Sequence, residues 1–495
     1  MNRAVRRISL ACLVMFVALL INVNYLQGFQ ASSLASKTGN IRTFDQQYQY
    51  QRGAISTADG VPIARSRPVK GIFKYQRYYP FGPVYAPMTG YDSLYSATGI
   101  EQADDKLLQG TDPKLTVRNL IDLITGKPKQ GASVQLTVNS KAQQAAYTAL
   151  KALGKSGAVV ALNPRTGAIL AMASYPSFDP NAYATFDGNK LNKIDARYRN
   201  DPNQPLLNRA INASYPPGST FKIVTSSTAL GTGRYNPTTL VYAPTVLRLP
   251  QTTNTLVNAN GEICGNGSGH VPLIDAFTQS CNTAFGALGE RLGNAALKQQ
   301  ADKFGFNNAG LTVPMPVSAS NYPVVQGPAY TAYSAIGQYN DTVTPMQEAM
   351  LSAAIANGGR LMKPYLVQDV KAPDLTTVQQ ATPSQLGQPV SAATAGQVKN
   401  MMLSVVNSPA GTAYGVPGIH APGLDIAGKT GTAQNQANNT GLNDAVFTAF
   451  APASNPQIAI GVIIKGGGYG AAAAAPIAVQ VIQAYLAYLH LVGRG

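Results

Sequence analysis

From Ile8 to Leu26 the chain is apolar and uncharged, and Arg3, Arg6 and Arg7 precede the run. A helix of that length crosses a hydrocarbon core roughly 30 Å thick, and basic residues before it, with none just after, place its N-terminus in the cytoplasm. A cleaved signal peptide is the rival reading, with Ala31-Ser32-Ser33 as a weak small-residue cleavage sequence. Under either reading the residues that follow are exported.

Beyond the run the pattern changes repeatedly. Lys37 to about Gln130 holds short segments broken by turn residues: Arg52-Gly53-Ala54-Ile55, Asp59-Gly60-Val61-Pro62-Ile63-Ala64, Tyr79-Pro80 and Thr98-Gly99-Ile100-Glu101. These predict short strands and loops. Alternation over Val134 to Val138 predicts a strand, and the alanine and leucine spacing of Ser140 to Leu153 predicts an amphipathic helix capped by Asn139 or Ser140. Gly157 to Leu162 and Ala168 to Ala173 flank the turn Asn163-Pro164-Arg165-Thr166-Gly167 and predict an antiparallel hairpin. Thr344-Pro345 marks a helix start, threonine as cap and proline at the first helical position. Ala445 to Ala451 and Gln457 to Lys465 predict strands, and Ala475 to Leu491 a closing helix. Antiparallel strands early and late, with helices between, predict an α+β fold in which sequence-distant strands share one sheet. The expected division is a cytoplasmic tip and transmembrane anchor at 1–36, an N-terminal domain at 37–150 and a main domain at 151–495.

Composition narrows the function more than the fold. With 495 residues and 45% apolar content, the chain fills at least two cores. Its net charge of +16 divides as +3 before the apolar run, +5 over Lys37 to Gln130 and +8 over the remainder, so no block concentrates it. That argues against a nucleic-acid groove; diffuse positive charge suits anionic headgroups, wall polymers or a solvated surface. His270, His420 and His490 stand apart from one another and from any cysteine or acidic spacing, so no metal site and no cofactor is expected. Cys12 lies in the apolar run, which leaves Cys264 and Cys281 as the exported pair, and two exported thiols so close in sequence favour a disulfide over free buried thiols. Gly423-Leu424-Asp425-Ile426-Ala427-Gly428-Lys429-Thr430 matches a phosphate-binding loop pattern. Such a loop opens a helix, whereas Thr430 is followed by Gly431-Thr432-Ala433-Gln434-Asn435, which has no helical period.

The candidate chemistry centres on Tyr215-Pro216-Pro217-Gly218-Ser219-Thr220-Phe221-Lys222. Prolines and glycine punctuate the chain just before Ser219, so a helix begins there and Ser219 and Lys222 fall one turn apart on one face. A neutral lysine amine at that spacing can take the serine proton, given a low-dielectric pocket or a second cation that disfavours the ammonium form. Alone, Ser-x-x-Lys also fits a solvated lysine beside a capping serine. Downstream stand Ser280-Cys281-Asn282 and Lys429-Thr430-Gly431-Thr432. The three motifs, in this order, resemble those of the serine acyltransferases that react with penicillin. The resemblance extends over most of the chain and is to the class B penicillin-binding proteins.

That resemblance implies a serine β-lactamase/transpeptidase-like catalytic domain, an antiparallel sheet with helices on both sides, on an extended β-rich pedestal with one N-terminal transmembrane helix. It implies a D,D-transpeptidase that cross-links peptidoglycan stem peptides through a Ser219 acyl-enzyme and is inhibited by β-lactam antibiotics. Lys222 is then the base. Ser280 shuttles a proton toward the leaving amine, and Asn282 bonds the substrate amide and Lys222. Lys429 is a fixed positive charge on an inner strand bordering the cleft, Thr430 and Thr432 bind the peptide carboxylate, and Gly431 lets the substrate lie close. The N–H groups of Ser219 and Thr432 form the oxyanion hole. Arg209, in Asn208-Arg209-Ala210, is expected to be a structural salt-bridge partner, and the segments Ala335 to Gln338 and Val343 to Glu348 scaffold. The pedestal is expected to dock a membrane-embedded glycan polymerase of the shape, elongation, division and sporulation family, or to be a spacer. A D,D-carboxypeptidase and a non-catalytic β-lactam sensor or wall scaffold are the alternatives.

Overall fold

The computed structural model describes residues 3–30, 47–324, 327–434 and 442–492. Ala31-Ser32-Ser33, the start of the N-terminal region at Lys37, and Asn435 lie outside the described residues. The two main sheets use strands β1 (Ile55–Ser56), β2 (Pro62–Pro68), β3 (Tyr75–Tyr78), β4 (Ser133–Leu136), β5 (Gly157–Leu162), β6 (Ile169–Tyr175), β7 (Val367–Lys371), β8 (Thr377–Gln380), β9 (Ala427–Ala433), β10 (Asp444–Ala451) and β11 (Ile458–Ile464). The helices that matter are α1 (Arg3–Tyr25), α2 (Ser140–Leu153), α3 (Lys222–Gly231), α4 (Asn282–Leu292), α5 (Pro345–Ala356), α6 (Ala392–Asn407) and α7 (Gly470–Val492).

The larger core surrounds an antiparallel sheet ordered β9-β10-β11-β5-β6. All of β5, β10 and β11 is buried, because α2 and α7 cover one face and α5 the other. That double cover is why these strands read as apolar runs with no alternation. Local signals set the helix ends: Asn139 Oδ1 accepts from the N–H of Lys141 and Ala142 to start α2, and Gly154, in a left-handed conformation, ends it. Thr344 Oγ1 accepts from Gln347 N–H with Pro345 at the first position of α5. At Gly461 on β11 a Cβ would lie 2.5 Å from Ala349 N, so only glycine lets α5 sit this close to the sheet.

The second sheet is ordered β8-β7-β4-β1-β2-β3. Its hairpin β7–β8 comes from more than 200 residues further along than β4, so the N-terminal layer is completed by a late segment. Beneath it lies a buried ion cluster. Glu101, fully buried, sits between Arg52 Nε at 2.7 Å and Arg77 Nε at 2.6 Å, and Arg52 Nη1 reaches Asp105 at 2.7 Å.

Helix α1 and the turn after it are apolar, with a mean hydropathy of 2.1 over Val5–Gln30 and none of that segment buried. Helix α7 is also long and apolar, but over half of it is buried against the large sheet, which makes it a core helix.

Two expectations need correction. The strand carrying Lys429, β9, is the edge of its sheet and not an inner strand: among the described residues it pairs with β10 alone. An edge leaves one row of backbone N–H and C=O groups for an extended peptide to pair with. Arg209 is structural but, among the described residues, binds no carboxylate. Its guanidinium donates to the carbonyls of Pro176, Asn203, Gln204 and Leu207, so it clamps chain segments where a salt bridge was expected.

Candidate active site

The turn that carries Ser219 is built from close backbone approach. Tyr215 exchanges hydrogen bonds with Val343, N–H to carbonyl at 2.9 Å and the reverse at 2.7 Å, which pins the entering chain. Gly218 then adopts φ +56°, and its N–H donates to Gly337 O at 2.9 Å. A Cβ on Gly218 would lie 2.7 Å from Thr432 O, so the turn is wedged against β9. The helix expected at Ser219 begins with one 3-10 turn, Gly218–Phe221, and Lys222 is the first residue of α3. Lys222 Nζ comes to 3.0 Å from Ser219 Oγ.

Ser280 and Asn282 arrive from the start of α4. Ser280 has φ +59°, a left-handed conformation uncommon outside glycine, and its N–H donates to Phe277 O. That kink aims Ser280 at the lysines: its Oγ is 3.2 Å from Lys222 Nζ and 2.9 Å from Lys429 Nζ, and its carbonyl is 2.6 Å from Lys222 Nζ. Asn282 Oδ1 accepts from Lys222 Nζ at 2.8 Å, and Asn282 Nδ2 donates to Val257 O at 3.3 Å. Cys281, between them, is bonded to Cys264.

Strand β9 closes the site. Lys429 Nζ also donates to Thr430 O at 3.0 Å, and Thr430 Oγ1 lies 2.6 Å from Thr412 Oγ1. A Cβ on Gly431 would be 2.9 Å from Pro217 O, which leaves the strand flush against the turn that carries Ser219. Thr432 is half-buried, and its carbonyl accepts from Gln338 Nε2 at 3.5 Å.

Both lysines are fully buried, and no described ion pair includes either. Burial, and then the positive charge of Lys429, hold the Lys222 amine well below the ordinary lysine range. Burial alone brings Lys429 down to about 7. Each lysine also faces an aromatic ring, Phe285 for Lys222 at 5.4 Å and Phe277 for Lys429 at 5.5 Å, whose π face offsets a little of the charge.

The structure thus brings Ser219, Lys222, Ser280, Asn282 and Lys429 into one hydrogen-bonded group, with Thr430, Gly431 and Thr432 alongside. Lys429 and Thr430 lie inside a strand, which is not the strand-to-helix loop that holds phosphate. Among the described residues no set of three or more His, Cys, Asp or Glu side chains is placed to hold a metal. Sequence reasoning missed Thr412 and both ring walls, and it treated Gly337, Gln338 and Glu348 as scaffold although all three touch the Ser219 turn or β9. No local pattern marks these contacts: Glu348 and Thr220 stand 128 residues apart, Gln338 and Thr432 94, and even Thr412 and Thr430 are separated by 18.

Comparison with known proteins places the chain in a family. Residues 157–483 match the penicillin binding protein transpeptidase domain, and residues 52–134 match the penicillin binding protein A dimerisation domain. The peptidoglycan D,D-transpeptidase PbpA of Mycolicibacterium smegmatis is 41% identical over 98% of this chain and 99% of its own. The structure of penicillin-binding protein A from M. tuberculosis as a ceftriaxone acyl-enzyme complex superposes with a TM-score of 0.85 at 38% identity, covering 89% of this chain and 99% of that one. Its penicillin G acyl-enzyme complex gives 0.83 at the same identity, over 88% and 100%. With its motifs gathered in one hydrogen-bonded group and its fold shared with these relatives over most of its length, the chain belongs to the penicillin-binding protein transpeptidase family.

Proposed function

We propose that the chain is a peptidoglycan D,D-transpeptidase that joins stem peptides through an acyl-enzyme on Ser219 and is acylated there by β-lactams. The observation that carries this reading is the hydrogen-bond arithmetic at Lys222. Two of its contacts, Ser280 O at 2.6 Å and Asn282 Oδ1 at 2.8 Å, are to oxygens that can only accept. A neutral amine has two N–H donors, and these two oxygens use both. The lone pair is left for the proton of Ser219, 3.0 Å away.

Ser219 Oγ attacks the carbonyl of the penultimate D-alanine as its proton passes to Lys222. Ser219 N–H, at the unpaired start of a helical turn, and Thr432 N–H, on the edge strand, hold the oxyanion. Ser280 Oγ, 3.2 Å from Lys222 Nζ and 2.9 Å from Lys429 Nζ, relays the proton that Lys222 took from Ser219 to the departing amine, and the C–N bond breaks. Lys429 draws the terminal carboxylate toward the hydroxyls of Thr430 and Thr432. An acceptor amine then attacks the ester, its proton passes through Lys222 to Ser219 Oγ, and the bond between Oγ and the acyl carbon breaks.

Release to water, the carboxypeptidase outcome, needs a base for water. Among the described residues no carboxylate is hydrogen-bonded to Ser219, Lys222, Ser280 or Asn282. Acyl transfer to an amine is therefore favoured. Incubating the purified protein with a stem-peptide donor and rising concentrations of an amine acceptor measures the partition. Transfer product should dominate; hydrolysis unaffected by acceptor would assign a carboxypeptidase.

Helix α1 fits a single-pass anchor with a cytoplasmic N-terminus and an extracellular catalytic domain, since its apolar surface is exposed along its length. Residues 1 to about 130 are proposed to bind a membrane-embedded glycan polymerase, because the described part of this region holds a fixed fold and no catalytic group. Co-purification from membranes with that fragment, and not with the catalytic fragment, is the expected result. Capture by the catalytic fragment alone removes the proposal.

A further inference from the structure

Helix α5 carries a carboxyl, Glu348, that is fully buried directly behind the nucleophile turn. Its Oε1 lies 2.8 Å from Thr220 Oγ1, and Thr220 Oγ1 in turn lies 2.8 Å from Pro217 O. A hydroxyl has one proton, and a peptide carbonyl only accepts. Were the carboxyl ionised, two acceptors would compete for the single Thr220 proton, leaving one of two short oxygen–oxygen contacts without a hydrogen. With a neutral carboxyl both contacts are hydrogen bonds: Glu348 donates to Thr220, and Thr220 donates to Pro217. The second oxygen, Oε2, is buried and has no partner among the described residues. The carbonyl of an acid bears that at much smaller cost than half a carboxylate does.

Among the described residues nothing nearby compensates a negative charge. The strands packed on α5, β5 and β11, carry no titratable residue, and β10 carries only Asp444, at its far end, where it accepts from Gly466 N–H. On the helical side Arg209 is committed to four carbonyls, and Lys399 of α6 lies partly exposed. Residues 361–362, also packed on α5, are Leu and Met. Lys222 and Lys429, across the nucleophile turn, bond to the cluster already described and not to this carboxyl. Consistent with this, burial brings Glu348 up to about 8, the Thr220 contact acting weakly the other way.

We propose that Glu348 is a neutral carboxylic acid that acts as a positioning residue for the nucleophile: through Thr220 it holds Pro217 O, and with it the turn that presents Ser219. Pro217 O is the atom wedged against Gly431 of β9, so displacing it moves Ser219 relative to Lys222 and to the N–H of Thr432 together. This role rests on Ser219 being the nucleophile.

The sign of the pH effect is fixed. Below about 8 the folded protein holds the Glu348 proton; above it the carboxyl ionises, the relay through Thr220 loses a hydrogen and acylation slows. The test is the rate of labelling by a fluorescent penicillin from mildly acid to alkaline pH, on the wild type, Glu348→Gln and Glu348→Leu, with thermal unfolding alongside.

Glu348→Gln keeps a donor and cannot ionise, so it should label at close to the wild-type rate at neutral pH and lose the alkaline decline with midpoint near 8. Glu348→Leu removes the donor and should label roughly 10-fold to 100-fold more slowly even where Glu348→Gln does not, as expected when a reacting group is displaced. Lys222 and Lys429 titrate in all three proteins, so only the difference between profiles reports on Glu348. Superimposable wild-type and Glu348→Gln profiles overturn the proposal, as does a folded Glu348→Leu protein labelled as fast as wild type. Absence of labelling in the wild type at every pH overturns the reading of Ser219 and this proposal with it.

Discussion

Two clusters of buried charge sit in this molecule and follow opposite rules. Under the N-terminal sheet, Glu101 lies between Arg52 and Arg77, so each buried charge has a partner of opposite sign. In the catalytic domain Lys222 and Lys429 share Ser280 Oγ, and among the described residues no acid is paired with either. Burial by itself would raise the Glu101 carboxyl, but Arg77 and Arg52 together outweigh it and hold the group below the ordinary carboxylate range. For Lys222, burial and the charge of Lys429 act in the same direction, toward the neutral amine, and burial alone lowers Lys429. Opposite charges thus make a brace that holds Glu101 ionised between its two arginines, while Asp92, 3.9 Å from Arg52 in the same cluster, is brought up by burial to about 6. Burial beside a like charge instead leaves Lys222 an amine that readily gives up its proton.

The largest expected effect breaks the second rule. Lys222→Arg keeps the charge and cannot give up its proton, so acylation by benzylpenicillin should fall by about 10²–10⁴-fold, the range for loss of a general base. Time courses of penicillin labelling measure it, and a rate within tenfold of wild type removes Lys222 as the base.

The first rule is broken at Glu101. Glu101→Gln leaves two buried arginines without their shared carboxylate and should destabilise the fold by about 3–5 kcal/mol, read from chemical denaturation. Each molecule that remains folded should still acylate, since no described contact joins that cluster to the site. The sign in pH follows: Glu101 has a lowered folded value, so its contribution is full above the ordinary carboxylate range and is lost as pH falls through the folded value. The gap between variant and wild type should therefore close in acid.

How much of this was legible without coordinates follows from how local each feature is. Ser219 and Lys222 are one turn apart, so their meeting is written in the spacing, as are the Asn139 and Thr344 caps. The brace was not legible: Arg52 and Glu101 stand 49 residues apart, and each segment reads only as a turn. Nor was the edge position of β9, because the residues of a strand do not name its neighbours, and only pairing order separates an edge from a central strand. Arg209 misled for a related reason: an arginine in a buried segment signals that acceptors are near, not whether they are carboxylates or carbonyls.

A smaller effect concerns the link that steadies the lysine cluster. Cys264 and Cys281 stand 17 residues apart, and opening the loop they close by Cys264→Ser with Cys281→Ser should cost about 3 kcal/mol by chain entropy. Thiol counting on the unreduced, denatured ectodomain checks the premise; two free thiols there remove it. The smallest effect is a slope. Between about 7 and the ordinary lysine value of 10.5 the unfolded chain binds a proton that folded Lys429 has released, so stability rises with pH across that window. Lys429→Met should flatten the rise by at most about 1.4 kcal/mol per pH unit, visible in denaturation series at stepped pH.

Every step proposed for this site passes through Ser219 as the group that the buried lysines activate. Mass spectrometry of the protein after reaction with penicillin G, digested and mapped, tests this most directly. One covalent adduct on the peptide containing Ser219, absent in a folded Ser219→Ala variant, is the predicted result; an adduct on any other peptide, or undiminished labelling of that variant, would contradict it.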